Sequence, residues 1–300
     1  MLRDCSRLLL LAIPAVLALS GCAPTTTYRY SAFVPAVRPI PWDGQTPPKA
    51  GTISLEGTVT STTVLPDLTP QIGDTAVLVP QWTAEGSAMI SVSPNVQLGV
   101  RFADAAYAWA QQSATGTMPV PNAPSSWGLG PELHASFPLD RERRFWLGIA
   151  ANFMSYDVPY AEWTLLGTGP AAPCTSSTTC VDGYSLFDTR TEQHWVYSMG
   201  LYPSFNVGPG GRYGHIIALA SMTNGFRNDG FTDQPTNGST VSSTDPIVLL
   251  GAGYGIRYEC LHASALLYHP LTDDSSPVNY GFGAQLTLGV DLETISARDD

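Results

Sequence analysis

After residue 50, hydrophobic residues recur at every second position along most of the chain. From 278 to 292, Val278, Tyr280, Phe282, Ala284, Leu286, Leu288, Val290 and Leu292 share one parity. Asn279, Gly281, Gly283, Gln285, Thr287, Gly289 and Asp291 hold the other. Trp195, Tyr197, Met199, Leu201, Phe205 and Val207 repeat the scheme against Ser198, Gly200, Ser204 and Asn206, and Trp127, Leu129, Leu133, Ala135, Phe137 and Leu139 against Gly128, Gly130, Glu132, His134 and Ser136. Val248, Leu250, Ala252, Tyr254, Ile256 and Tyr258 oppose three glycines and Arg257, and Val96, Leu98, Val100 and Phe102 oppose Gln97, Gly99 and Arg101. A period of two places each parity on one face of a strand. Segments of this kind near 51–59, 87–93, 96–109, 126–139, 143–157, 193–207, 215–226, 246–259, 260–270 and 278–292 predict about ten strands.

The connectors alternate in length. Short turns fall at Ser93-Pro94-Asn95, Asp140-Arg141-Glu142, Gly208-Pro209-Gly210-Gly211 and Glu259-Cys260, and long polar stretches at 60–86, 110–125, 158–192, 227–245 and 271–277. This rhythm, with one uniformly greasy face, predicts an all-β, antiparallel, up-and-down β-barrel that crosses a membrane, its tight turns periplasmic and its long loops outside. Over residues 51–293 the chain resembles small outer-membrane β-barrels. Its last strand, with Gly283, Leu286 and Leu288, partly resembles their terminal assembly signal, but it ends in a polar tail, 294–300, and not on an aromatic.

In a membrane barrel the greasy parity faces lipid, and Trp127, Trp195, Tyr156, Tyr258 and Tyr280 suit the headgroup boundaries. The inward set holds Glu56, Arg101, Glu132, His134, Arg257 and Asp291, whose opposite charges are expected to pair across a narrow lumen. A plugged lumen is expected ahead of a narrow solute channel, because the interior of ten strands is small. The competing reading is a soluble, lipid-tethered barrel or sandwich that binds a small apolar ligand, with the greasy parity inside. Low charge on the polar parity and the connector rhythm favour the membrane barrel.

Residues 1–21 read as a secretory signal, with Arg3 and Arg7 ahead of an apolar run from Leu8 to Leu19. Leu19-Ser20-Gly21-Cys22 resembles the bacterial lipobox. The resemblance implies acylation of Cys22, and Ala23 after it implies delivery to the outer membrane; the connector rhythm places both termini in the periplasm. Residues 22–50 carry six prolines between Pro24 and Pro48 and no periodicity, which predicts a Thr/Pro-rich tether whose Tyr28, Tyr30, Phe33 and Trp42 can dock on a surface. Cys174 and Cys180 bracket a short Thr/Ser stretch and suit a local disulfide in an oxidising compartment. Cys260 is then a single, shielded thiol.

Of the 300 residues 13% are charged, the net charge is −11, and Lys49 is the only lysine. That balance excludes a nucleic-acid partner. The acids Asp229, Asp233, Asp245, Asp273 and Asp274 fall in the long loops, where they would attract cations or a cationic partner. His134-Ala135-Ser136 and His262-Ala263-Ser264 resemble the His/Ser arrangement of outer-membrane lipid deacylases, but both face inward near the periplasmic end. Asp104, Asp157, Asp188, His194 and His269 fall near the opposite rim, where ten-strand outer-membrane proteases keep their acids and histidine. No local motif joins them. No cofactor or metal ligand set is evident, so a non-enzymatic scaffold, narrow passage or loop-presenting surface is expected, with a rim hydrolase as a distant third.

Overall fold

The computed structural model describes residues 26–47, 49–64, 75–106, 110–111, 125–166, 180–181, 184–224, 246–271 and 280–293. Its strands are β1 (Thr26–Phe33), β2 (Thr52–Val64), β3 (Thr75–Pro80), β4 (Trp82–Ser93), β5 (Val96–Ala106), β6 (Ala110–Gln111), β7 (Ser125–Pro138), β8 (Phe145–Leu166), β9 (Cys180–Val181), β10 (Tyr184–Asn206), β11 (His215–Asn224), β12 (Pro246–Tyr258), β13 (Leu261–Leu271) and β14 (Tyr280–Glu293). Ten of them close a ring in the order β2–β4–β5–β7–β8–β10–β11–β12–β13–β14, and β14 pairs antiparallel with β2. Every one of the ten corresponds to a segment read from alternation. Closure satisfies the backbone donors and acceptors that an open sheet would leave at its edges.

The two parities face as the membrane reading requires. Leu286 and Leu288 are 54% and 60% exposed and Leu201 is 48% exposed, whereas Gln285 is 3% and Ser198 6% exposed. This overturns the alternative in which the greasy parity lines a ligand cavity. Val59, Val100, Leu129, Phe153, Ile216, Leu250 and Ile256 continue the apolar exterior around the ring, a band far beyond the apolar patches of water-soluble monomers. Trp127, Trp195 and Tyr258 are outward, and Trp195 stacks on Phe153 at 4.9 Å.

Tyr156 and Tyr280, expected at the headgroup boundaries, instead point inward and are buried. Tyr280 is turned by a break in register between Tyr280 and Gly283, the one place where β14 shifts against β2; such a bulge reverses which face a side chain occupies. Tyr156 shares its parity with Gly148, Ala150 and Asn152, so the strand's own pattern places it inside.

The short turns lie at one end. Between β7 and β8 the Asp140 carboxylate accepts from the Arg144 and Phe145 amides at 2.8 and 2.9 Å, and the β10–β11 turn contains Gly208, Gly211 and Gly214 at positive φ. Cys260, in the β12–β13 turn, is exposed and not shielded. At the other end β8 and β10 run to 22 and 23 residues. Strands that cross a bilayer need only about 9–11, so this hairpin projects past the rim. The alternation fades there across Pro159, and the stretches 158–166 and 184–192 read as loop although they are strand. On the projecting part β1 pairs antiparallel with β8, Thr26 opposite Leu166 and Ala32 opposite Tyr160, and β3 pairs parallel with β1.

Candidate functional site: the lumen and the segment that fills it

Residues 34–47, read from composition as tether, run down the inside of the barrel. Phe33, Val34, Ala36, Val37, Ile40, Trp42 and Asp43 are all buried. The Pro/Thr composition that suggests a linker suits this path. A chain crossing a lumen without a strand partner must satisfy each amide individually, and Pro35, Pro39, Pro41 and Pro47 bring no N–H. Its carbonyls are met by the wall: Gln285 Nε2 donates to Pro39 O at 2.8 Å, the Tyr202 hydroxyl to Ile40 O at 2.5 Å, and Arg101 Nη2 to Pro41 O at 3.1 Å. Lower down, Thr46 N donates to Ser136 Oγ at 3.0 Å, and Thr46 Oγ1 to Pro94 O at 2.9 Å, beside a short turn. The segment then leaves at that end, where Lys49 pairs with Glu293 at 2.8 Å.

Trp42 is the largest of the buried anchors. Its ring stacks on His134 with centroids 4.4 Å apart and meets Tyr202 edge-on at 5.4 Å. The fit demands glycine twice. A Cβ on Gly148 would lie 2.8 Å from both Gly44 O and Trp42 Cζ3, and Gly44 itself turns the chain at φ +84°. Elsewhere the inward glycines make room for rings: Gly128, Gly283 and Gly289 lie beneath Tyr156, Tyr268 and His262. The space left by the small parity is therefore filled by side chains from neighbouring strands.

Charge is arranged around the same segment. Arg101, 1% exposed, holds Glu132 through two bonds, Nε to Oε2 and Nη2 to Oε1, the latter at 2.7 Å, with Glu56 and Glu85 at 3.7 and 3.8 Å. His134 Nε2 lies 2.7 Å from Glu132. Nearer the short-turn end, Arg257 bridges Asp43 at 2.8 Å and Asp291 at 3.0 Å, and His262 lies 3.3 Å from Glu56. All six residues read as a lumen network, Glu56, Arg101, Glu132, His134, Arg257 and Asp291, are brought together.

Further members were missed, Arg38, Glu85 and Asp43 among them. Arg38 pairs with Glu85 at 2.6 Å, and Asp43 is gripped by Arg257 and approached by His215. Arg38 and Asp43 sat in the presumed tether, and Glu85 lay just before the point where β4 was expected to begin. Its parity with Ser87 was the available signal.

The residues considered for catalysis have other partners. His134 stacks on Trp42 while Ser136 binds Thr46, so that pair is engaged by the segment. At the long-loop rim His194 faces inward, its Nε2 2.8 Å from the Tyr160 hydroxyl and 3.7 Å from Glu192. Asp104, Asp157 and His269 take the outward parity, and Asp188 is exposed. These residues do not converge on a common point. Cys22, Cys174, the loop acids and the 294–300 tail lie outside the described residues.

No protein family and no curated protein matches the chain. Among solved structures it is similar to the N-terminal β-barrel domain of Pseudomonas aeruginosa OprF, with 8% identity over 81% of this chain and 98% of that one and a TM-score of 0.30. It is also similar to Neisserial surface protein A (NspA), with 9% identity over 81% and 96% and a TM-score of 0.29. LpxR from Salmonella typhimurium gives 9% identity over 79% and 99% and a TM-score of 0.39. Likenesses this distant carry nothing about what this chain does.

Proposed function

We propose that this protein is an outer-membrane β-barrel lipoprotein, non-enzymatic, whose lumen is sealed by its own residues 34–47 and whose role is to hold a surface of long loops outside the cell. The observation that carries this reading is the filled lumen inside an apolar exterior. Between the segment and the wall of β8, β10 and β11 there is a cavity of about 30 Å³ lined by Arg38, Asn152, Ser198 and Asn224, room for water and not for a solute. A closed lumen disfavours the narrow passage and leaves scaffolding and loop display. The acids of the long loops, Asp229, Asp233, Asp245, Asp273 and Asp274, give that display a negative field suited to cations or a cationic partner.

Lipidation at Cys22 belongs to the same reading. The Cys22 thiol displaces the glycerol-linked phosphate headgroup of a diacyl phospholipid, forming a thioether and releasing the headgroup with the thiol's proton. Water then cleaves the Gly21–Cys22 bond, and the freed amine takes an acyl chain from a second phospholipid, leaving a lysophospholipid. Chains of that length bury methylenes worth about 0.8 kcal/mol each, enough in combination to hold permanently.

The test is electrical. Full-length protein in a planar bilayer is expected to give no steady conductance, and a variant lacking residues 34–46 to give one. A steady, ion-selective current through the intact protein would restore the channel reading. Monodisperse, folded protein without signal, Cys22 or detergent would remove the membrane barrel itself.

A further inference from the structure

We propose that the amino-terminal end emerges on the long-loop side of the barrel, so that Cys22 is carried to the outside of the cell and not into the periplasmic leaflet. This rests on the lipid-anchored reading above.

The direction of the segment carries the inference. β8 runs from the Asp140 turn toward the long loops, and β1 pairs antiparallel with it, so Thr26, opposite Leu166, is at the far end of the projecting hairpin. From there the chain descends in order. Arg38 meets Glu85 and Tyr156, Pro39 meets Gln285, Pro41 meets Arg101, Asp43 meets Arg257, and Thr46 meets Pro94 in a short turn. Only after this crossing does β2 begin, with Thr52 opposite Glu293. The described chain therefore starts at the end opposite the one where β14 finishes, and on this reading the two ends of the chain leave the barrel on opposite sides.

Length decides where the anchor can be. Four residues separate Cys22 from Thr26, and fully extended they span at most about 14 Å. The hydrocarbon layer alone is about 30 Å thick. A chain paired along β8 and threaded through the lumen cannot return to the periplasmic leaflet in four residues. It also follows that the barrel closes around the segment during assembly, because a lumen this tightly filled offers no passage for an acylated terminus afterwards.

The experiment uses the full chain in cells, with Cys174, Cys180 and Cys260 replaced by serine and a single reporter, either Thr25→Cys or Lys49→Cys. A membrane-impermeant maleimide is expected to label Thr25→Cys equally on intact and permeabilised cells, and Lys49→Cys only after permeabilisation. Mass spectrometry of the amino-terminal peptide is expected to find the thioether and the amide-linked acyl chain. If Thr25→Cys is labelled only after permeabilisation, the inference falls whatever the mass spectrum shows. If it is labelled on intact cells but Cys22 is unmodified, the lipoprotein reading fails, and with it the anchor, while the outward path of the chain stands.

Discussion

Two arcs of the lumen wall face the same buried segment with different balances of polar and apolar side chains. On β14, β2, β4, β5 and β7 the inward residues are almost all polar: Gln285, Thr287, Glu56, Thr58, Thr60, Glu85, Arg101, Glu132 and His134. On β8 and β10 to β13 they include Ala150, Met154, Tyr156, Tyr202, Ile217, Leu219, Leu249 and Leu266, which form one apolar cluster with Val37, Ile40 and Trp42. A water-filled lumen would give the second arc no reason to be apolar. The difference shows that the interior is a core, built between barrel and segment, with one side held almost wholly by ion pairs and hydrogen bonds and the other by packing together with the Arg257, His262 and Tyr202 contacts. Buried charge needs its partners to be complete, whereas the apolar side tolerates adjustment within its volume.

Substitutions on the two arcs separate these contributions. The largest loss is expected for Arg101→Met, which takes the guanidinium from Glu132 and leaves it only His134, near Glu56 and Glu85; breaking a buried pair from one side costs about 3–5 kcal/mol, read as the shift in denaturant midpoint in detergent. On the apolar arc Trp42→Ala should cost about 3–5 kcal/mol at the lower part of that range, because His134 and Tyr202 can lean into the space. It is also expected to produce intermittent conductance that Arg101→Met in a folded barrel does not match. Tyr202→Phe removes only the bond to Ile40 O, a loss of about 1 kcal/mol. Lys49→Ala, at an exposed pair with Glu293, should change stability by less than about 1 kcal/mol. A Trp42→Ala variant as stable as Lys49→Ala would mean the apolar arc is not packed against the segment.

Alternation made the barrel legible because a wall between lipid and lumen imposes opposite demands on successive residues. Glu56, Arg101, Glu132, His134, Arg257 and Asp291 stood out as charged members of a parity otherwise made of Gly, Ser and Thr. Residues 34–47 did not stand out, since their structure is held by side chains of distant strands and leaves no repeat of its own. Composition alone makes such a segment look like a linker. Tyr280 was misplaced because a bulge cannot be seen in a strand whose periodicity continues through it. The projecting parts of β8 and β10 were missed for a third reason: away from lipid, neither face must be apolar, and the signal that revealed the other strands disappears.

The path of residues 34–47 through the lumen can be tested most directly at its lower end, where Thr46 Oγ1 and Ser136 Oγ are 2.7 Å apart. With Cys174, Cys180 and Cys260 replaced by serine, a Thr46→Cys, Ser136→Cys pair is expected to close a disulfide within the chain on mild oxidation, that separation being within reach of the bond's geometry. Two thiols that remain reduced and are both modified by a water-soluble maleimide in the folded barrel would contradict a lumen sealed by its own amino-terminal segment.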